Sequence, residues 1–241
     1  MSHGNEQDAL LYPDRSSPTV NVHAIMTCLA IAACHRLYTL GKIDVKGVFI
    51  QTEMSGTPVY VKCTVKVREV ILDMYPHLQE FVGSDKILYC QLKKALYGCV
   101  QASKLWYEKL HKFLQAQGYV RCDIDLCVFK KAVGSKAYLL LVYVDDILIV
   151  ADAEELARLE KEFVCMFKWI IMSVGSSHSY IGMQISVRDN TVTLDMRYYL
   201  KKILECCDAP KAAAVTPGGK VTFLVDGASR LLTEVGKKPD C

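Results

Sequence analysis

Two adjacent carboxylates, Asp145 and Asp146, sit between two apolar runs, Leu139-Leu140-Leu141-Val142 and Ile147-Leu148-Ile149-Val150. Neighbouring like charges raise the cost of ionising both, and loss of water raises it further. A divalent cation relieves that cost. Residues in a tight turn, unlike those in a regular strand, can aim both carboxylates at one locus. Asp is also a good turn former, and an isolated Asp-Asp on a solvated turn needs no chemistry. The buried-looking flanks favour the metal reading here. A third carboxylate, Asp44, stands among Ile43, Val45, Val48 and Phe49. If its strand pairs beside the Asp145 turn, three carboxylates meet. Such hard oxygen donors suit Mg²⁺ or Mn²⁺ and not zinc. Two ions about 3.5–4 Å apart would clamp an in-line phosphoryl displacement.

The elements that must position these residues follow from periodicity. Ser16-Ser17-Pro18-Thr19 reads as a helix start, with Ile25, Met26, Leu29, Ala33 and Leu37 at helical spacing and Gly41 as the stop. Residues 42–49 predict a strand with Asp44 opposite its apolar neighbours. A turn-rich loop spans 51–58, a β-rich run 59–67, a short helix 70–82 and a short strand 87–92. Residues 101–117 predict an amphipathic helix, with Leu105, Trp106, Leu110, Phe113 and Leu114 on one face and Gly118 closing it. The two runs around Asp145-Asp146 predict a tight hairpin. Asp152 with Glu155 predicts a capping box for a helix carrying Leu156, Leu159, Phe163 and Phe167. Residues 180–187 and 191–194 predict a second hairpin, followed by a helix with Tyr199, Leu200, Ile203 and Leu204. The interleaving lacks regular βα alternation. It predicts an α+β fold, an antiparallel sheet backed by helices.

With 51% apolar and 23% charged residues, composition excludes a disordered chain. Net charge of +3 does not by itself point to nucleic acid. Local charge is more informative: residues 86–112 carry six lysines against Glu108, interleaved with Tyr89, Tyr97, Trp106 and Tyr107. That pattern suits a phosphate backbone, and it suits a solvated helix face equally well. The eleven cysteines are odd in number and several lie in apolar runs, as for buried free thiols in a reducing compartment. No Cys-x-x-Cys occurs, which argues against a zinc module. The apolar stretch 137–151 is too short for a bilayer and contains two carboxylates, so no membrane span is expected.

Four segments, in order, carry a family resemblance. Asp44-Val45-Lys46-Gly47-Val48-Phe49-Ile50 resembles the first catalytic motif of copia-type retrotransposon reverse transcriptases. Leu96-Tyr97-Gly98-Cys99-Val100-Gln101-Ala102-Ser103, followed by Trp106-Tyr107, is similar to their Leu-Tyr-Gly-Leu-Lys-Gln-Ala-Pro…Trp-Tyr block. Tyr143-Val144-Asp145-Asp146 matches their third motif, and Tyr180-Ile181-Gly182-Met183-Gln184-Ile185 resembles the hairpin that grips the primer end. The departures, Gly47-Val48, Val100 and Ser103, remove no metal ligand.

The resemblance implies a right-hand polymerase fingers and palm over residues 16–208, between a flexible tail (1–15) and an irregular one (209–241). It implies Asp44, Asp145 and Asp146 as catalytic, holding two Mg²⁺ or Mn²⁺ ions with help from the Val45 carbonyl. Phe49, where the family places an aromatic gate and where a core residue is equally at home, would line the nucleotide pocket with Gly98 and Gln101. Tyr143, Gly182 and Met183 would support the primer. Partners would be an RNA or DNA template with primer and deoxynucleoside triphosphates, and the compartment intracellular, in a cytoplasmic element particle or the nucleus. No oligomeric state follows. The family's basic N-terminal fingers strands are expected to be missing, as in an N-terminally truncated copy. A remnant that only binds nucleic acid, or an unrelated Mg²⁺-dependent nuclease or phosphatase, would also keep three carboxylates.

Overall fold

Hydrophobic alternation along residues 39–45 sets the architecture of this chain. The computed structural model describes residues 17–206, except 36 and 189, together with 224–225 and 229–230. Strand β1 (Thr39–Val45) buries Gly41, Ile43 and Val45 toward one face and turns Lys42 and Asp44, both half-buried, toward the other. It is flanked by β7 (Asp146–Ala151) and β8 (Ile170–Gly175) in a six-stranded sheet of order β4-β5-β6-β7-β1-β8, antiparallel throughout. The remaining strands are β4 (Val120–Arg121), β5 (Val128–Val133) and β6 (Lys136–Tyr143). Ile147 to Ala151 are all fully buried, so both faces of β7 are covered.

Helices α3 (Ala102–Ala116) and α4 (Ala153–Met166) bring their apolar stripes together in an aromatic cluster. Phe113 packs on Phe163 at 4.8 Å and on Phe167 at 5.1 Å, and Trp106 meets Phe167 edge-on at 5.4 Å. Leu156 of α4 comes within 2.5 Å of where a Cβ on Gly41 would stand. Gly41 is therefore a close-approach residue inside β1, not the helix stop expected from the sequence. Helix α1 (Val22–Cys34) ends at its cap, His35. It also starts later than Ser16-Ser17-Pro18-Thr19 suggests, because Asn21 supplies the capping oxygen, accepting from the His23 amide at 2.8 Å.

Between β1 and α3, β2 (Tyr60–Lys62) pairs with β3 (Tyr89–Gln91) and encloses α2 (Val65–Met74) and a 3₁₀ helix (Pro76–Phe81). The expected strand over 59–67 is thus cut at Thr64, the cap of α2, and the expected helix over 70–82 is split. Pro76 cannot donate the amide that a continuous helix needs. A three-stranded sheet, β9 (Ser177–Tyr180), β10 (Met183–Arg188) and β11 (Thr191–Asp195), follows β8. The hairpin expected to start its first strand at 180 starts at 183, since Ile181 (φ +49°) and Gly182 (φ +75°) form a turn.

The described residues fall into two compact units, divided between Met196 and Arg197. In the second, α5 (Arg197–Cys206) is the helix expected around Tyr199, and β12 (Leu224–Val225) pairs with β13 (Ser229–Arg230). The expectations for residues 1–15, and for the rest of 209–241, lie outside the described residues.

Candidate active site

The antiparallel register puts Asp44 directly opposite Asp146, and the same hairpin pairs Asp146 with Tyr143. Val144 and Asp145 are therefore the two turn residues. The Val45 amide donates to the Asp145 carbonyl at 3.1 Å, which ties the turn to the end of β1. Asp44, Val45, Asp145 and Asp146 are thereby brought together. Like charges directly opposite across a strand pair are destabilising, and two lysines answer them. Lys42 Nζ lies 3.1 Å from Asp146, and Lys46 bonds Asp44. Asp44 holds the Lys46 ammonium above its ordinary value. Asp145 keeps solvent contact, yet partial burial pushes its carboxyl above the ordinary 3.8 and repulsion from Asp146 and Asp44 adds to this. A hydrogen bond to its own backbone amide and the charge of Lys46 pull the other way.

The turn is strained. Val144 has φ +53°, a left-handed conformation that a β-branched residue disfavours by on the order of 1–3 kcal/mol. Its carbonyl accepts from the Trp106 indole at 2.7 Å. On the β9–β10 side, Gly182 occupies the turn and Met183 is buried. Tyr180, also buried, has its hydroxyl pushed up first by burial and next by the Asp146 charge, and it donates to the Leu141 carbonyl at 2.9 Å. The β9–β10 hairpin thus adjoins the carboxylates through Tyr180. Gly98 and Gln101 stand just before α3, and Phe49, in the turn after β1, reaches that segment through Tyr97. Phe49 is a core residue meeting the exposed Tyr97 edge-on at 5.0 Å, Gly98 takes φ +93°, and buried Gln101 stands at the N-cap position of α3 without a side-chain capping bond.

A family model described as reverse transcriptase (RNA-dependent DNA polymerase) matches residues 2–217. The chain belongs to the reverse transcriptase family. The retrovirus-related Pol polyprotein from transposon TNT 1-94 of Nicotiana tabacum is 31% identical over 205 residues, 83% of this chain and 14% of that protein. The corresponding polyprotein from transposon RE1 of Arabidopsis thaliana is 26% identical over 213 residues, 88% of this chain and 13% of that protein. The chain therefore spans about a seventh of the length of these relatives. Among solved structures, a Candida albicans telomerase in complex with a telomeric RNA fragment aligns at TM-score 0.43 and 10% identity, over 78% of this chain and 38% of that one. That likeness is too slight to carry an argument.

For a reverse transcriptase, the donor set fits a hard divalent cation in type, since the three carboxylates lie close enough to perturb one another. Among the described residues, no three His, Cys, Asp or Glu side chains are already arranged to hold a metal. Lys42 and Lys46 occupy Asp146 and Asp44 instead. Sequence reasoning missed both lysines, although Lys42 lies two residues before Asp44 on one strand, a spacing that puts both on one face. It placed Trp106 on the apolar face of its helix, in the basic aromatic segment and in the family block, and did not connect it with the Val144-Asp145 turn. Gln51 was missed as well: its carboxamide donates to the carbonyls of Lys46 (2.8 Å) and Lys168 (2.7 Å) and accepts from the Lys168 amide (2.7 Å), fastening the segment after β1.

Proposed function

We propose that this chain is the fingers and palm of an RNA-directed DNA polymerase from a copia-type retroelement, extending a primer on an RNA or DNA template with deoxynucleoside triphosphates. The observation that carries the reading is the Asp44–Asp146 register with Asp145 in the adjoining turn, in a member of the reverse transcriptase family. Asp44, Asp145 and Asp146, with the Val45 carbonyl, would hold two Mg²⁺ or Mn²⁺ ions. Such ions, when bound, supply positive charge to the phosphate undergoing in-line displacement. The protein's own part is positioning. The antiparallel register fixes Asp44 against Asp146, Lys42 and Lys46 balance Asp146 and Asp44, and Gly182 in the β9–β10 turn, Met183 at the start of β10 and Tyr143 would support the primer. Phe49, Gly98 and Gln101 would shape the nucleotide side.

The test is primer extension by the purified chain on a primed RNA template with Mg²⁺ or Mn²⁺. Extension that disappears in Asp145→Asn supports the reading. A wild-type chain that shifts primer–template in a gel but extends nothing marks a nucleic-acid-binding remnant. No helix of the described residues is long and apolar enough to cross a membrane.

A further inference from the structure

We infer that Trp106 is a positioning residue, holding the Val144-Asp145 turn so that the Asp145 carboxylate meets Asp44 and Asp146. The inference rests on the polymerase reading above. Two-residue hairpin turns ordinarily recruit Gly, Asn or Asp where φ is positive. Val144, at φ +53°, is a poor choice on local grounds, so something outside the turn must hold it. Two consecutive carbonyls of the turn are tied to other elements. The Asp145 carbonyl accepts from Val45 of β1 at 3.1 Å, and that bond secures the strand register. The Val144 carbonyl accepts from the Trp106 indole at 2.7 Å, and that bond fixes the peptide leading into Asp145.

The donor is rigid. Trp106 is 1% exposed, sits within α3, and packs its ring against Phe167 in an edge-type contact at 5.4 Å. A rigid donor on a helix can therefore impose on the turn a conformation that the turn's own sequence resists. The competing account is that Trp106 fills the core and its N–H merely finds an acceptor, as buried indoles do.

A double-mutant cycle separates the two. Trp106→Phe keeps an aromatic body but deletes the donor. Val144→Gly removes the penalty for the left-handed conformation. If Trp106 acts through Val144, its loss matters less once Val144 is Gly; if it only packs, the loss is the same in both backgrounds. Wild type, both single variants and the double variant are compared in full-length chain, with thermal melting to confirm folding. Trp106→Phe is expected to lower kcat for primer extension by about tenfold or more, with KM for nucleotide and primer–template Kd changed by less than about twofold. In the Val144→Gly background the same substitution is expected to cost less than about threefold. Amide exchange across residues 143–147 should rise in Trp106→Phe and rise less in the double variant. Equal losses in both backgrounds, or a loss confined to Kd, would overturn the inference. If the wild type extends no primer, the polymerase reading falls on its own. The exchange comparison needs no catalysis, and unchanged exchange in Trp106→Phe then refutes the tie.

Discussion

Asp145 carries a cost that its neighbours relieve only in part. Lys42 and Lys46 hold Asp146 and Asp44, while partial burial and the two neighbouring carboxylates push the Asp145 carboxyl upward. Replacing it by the isosteric Asn removes one charge from the cluster and keeps the turn chemistry. In chelator, Asp145→Asn should therefore melt higher than wild type, by roughly 1–3 °C after allowing for solvent screening of a partly exposed group. Adding Mn²⁺ should raise the wild-type melting temperature by mass action and raise that of the variant little. A variant that melts lower than wild type in chelator would contradict the charge balance drawn here. The convergence of the three aspartates was legible in the sequence because a charge inside an apolar run violates the burial pattern and draws attention to the place where the runs meet. The lysines were not. Which cation answers which carboxylate depends on cross-strand register, and Lys42 reaches Asp146 only because β1 lies antiparallel to β7.

Helix α4 shows how much of an element its caps decide. Asp152 caps it, accepting from the Glu155 amide at 3.0 Å, so half of the capping box read from the sequence is present. The other half is replaced. The Glu155 carboxylate is buried and accepts from Tyr119 at 2.8 Å, Lys131 at 3.1 Å and both Nε and Nη2 of Arg158. Asp152 also takes Lys136 at 2.6 Å and Tyr138 at 2.8 Å, and chiefly through Lys136 its carboxyl falls to about 2. Its folded value lies below its unfolded one, so the stabilisation is full above the ordinary 3.8 and is lost as pH falls through about 2. Asp152→Ala should cost about 1–2 kcal/mol in urea unfolding at neutral pH. Asp152→Asn keeps a capping oxygen and should cost less, and its gap from wild type should close as pH drops from 4 toward about 2. A gap that stays constant over that range would show that Lys136 contributes nothing. Elements with strong periodicity, α3, α4 and the β6–β7 hairpin, were legible for the same reason that they are stable: their apolar positions repeat at the period of the structure. Strands β8 and β9 were not, because Met172-Ser173-Val174-Gly175-Ser176-Ser177 alternates weakly and its place in the sheet is set by β1. Gly41 was misread since sequence shows a helix breaker where the fold needs room for Leu156.

Across the first unit, burial is uneven, and stability should be uneven with it. Strand β7 pairs with β6 on one side and β1 on the other at the centre of the sheet, and Ile43, Leu140, Leu141 and Ile147 to Ala151 have no solvent exposure. By contrast, α2 and the 3₁₀ helix bury no residue, and Val65, Val67, Val70, Met74, Tyr75 and Phe81 stand in solvent. That segment is joined to the rest through the three-residue strands β2 and β3 and two isolated bridges, Glu53 with Lys94 and Val82 with Leu88. With little apolar area removed from water, residues 65–81 have little to offset the entropy of ordering them. Their amides should open locally at a small fraction of the global unfolding free energy, while those of β1 and β7 should exchange only by global unfolding. Amide exchange followed by mass spectrometry distinguishes the cases directly. Peptides from 65–81 should label within the earliest time points at neutral pH, and peptides from 39–45 and 146–151 should remain protected until mild urea lowers global stability. Titrating urea sharpens the test, since local openings expose little surface and should be nearly insensitive to denaturant, whereas global ones accelerate with the full unfolding slope. Protection of 65–81 equal to that of β7 would mean that its exposed apolar face is covered in solution.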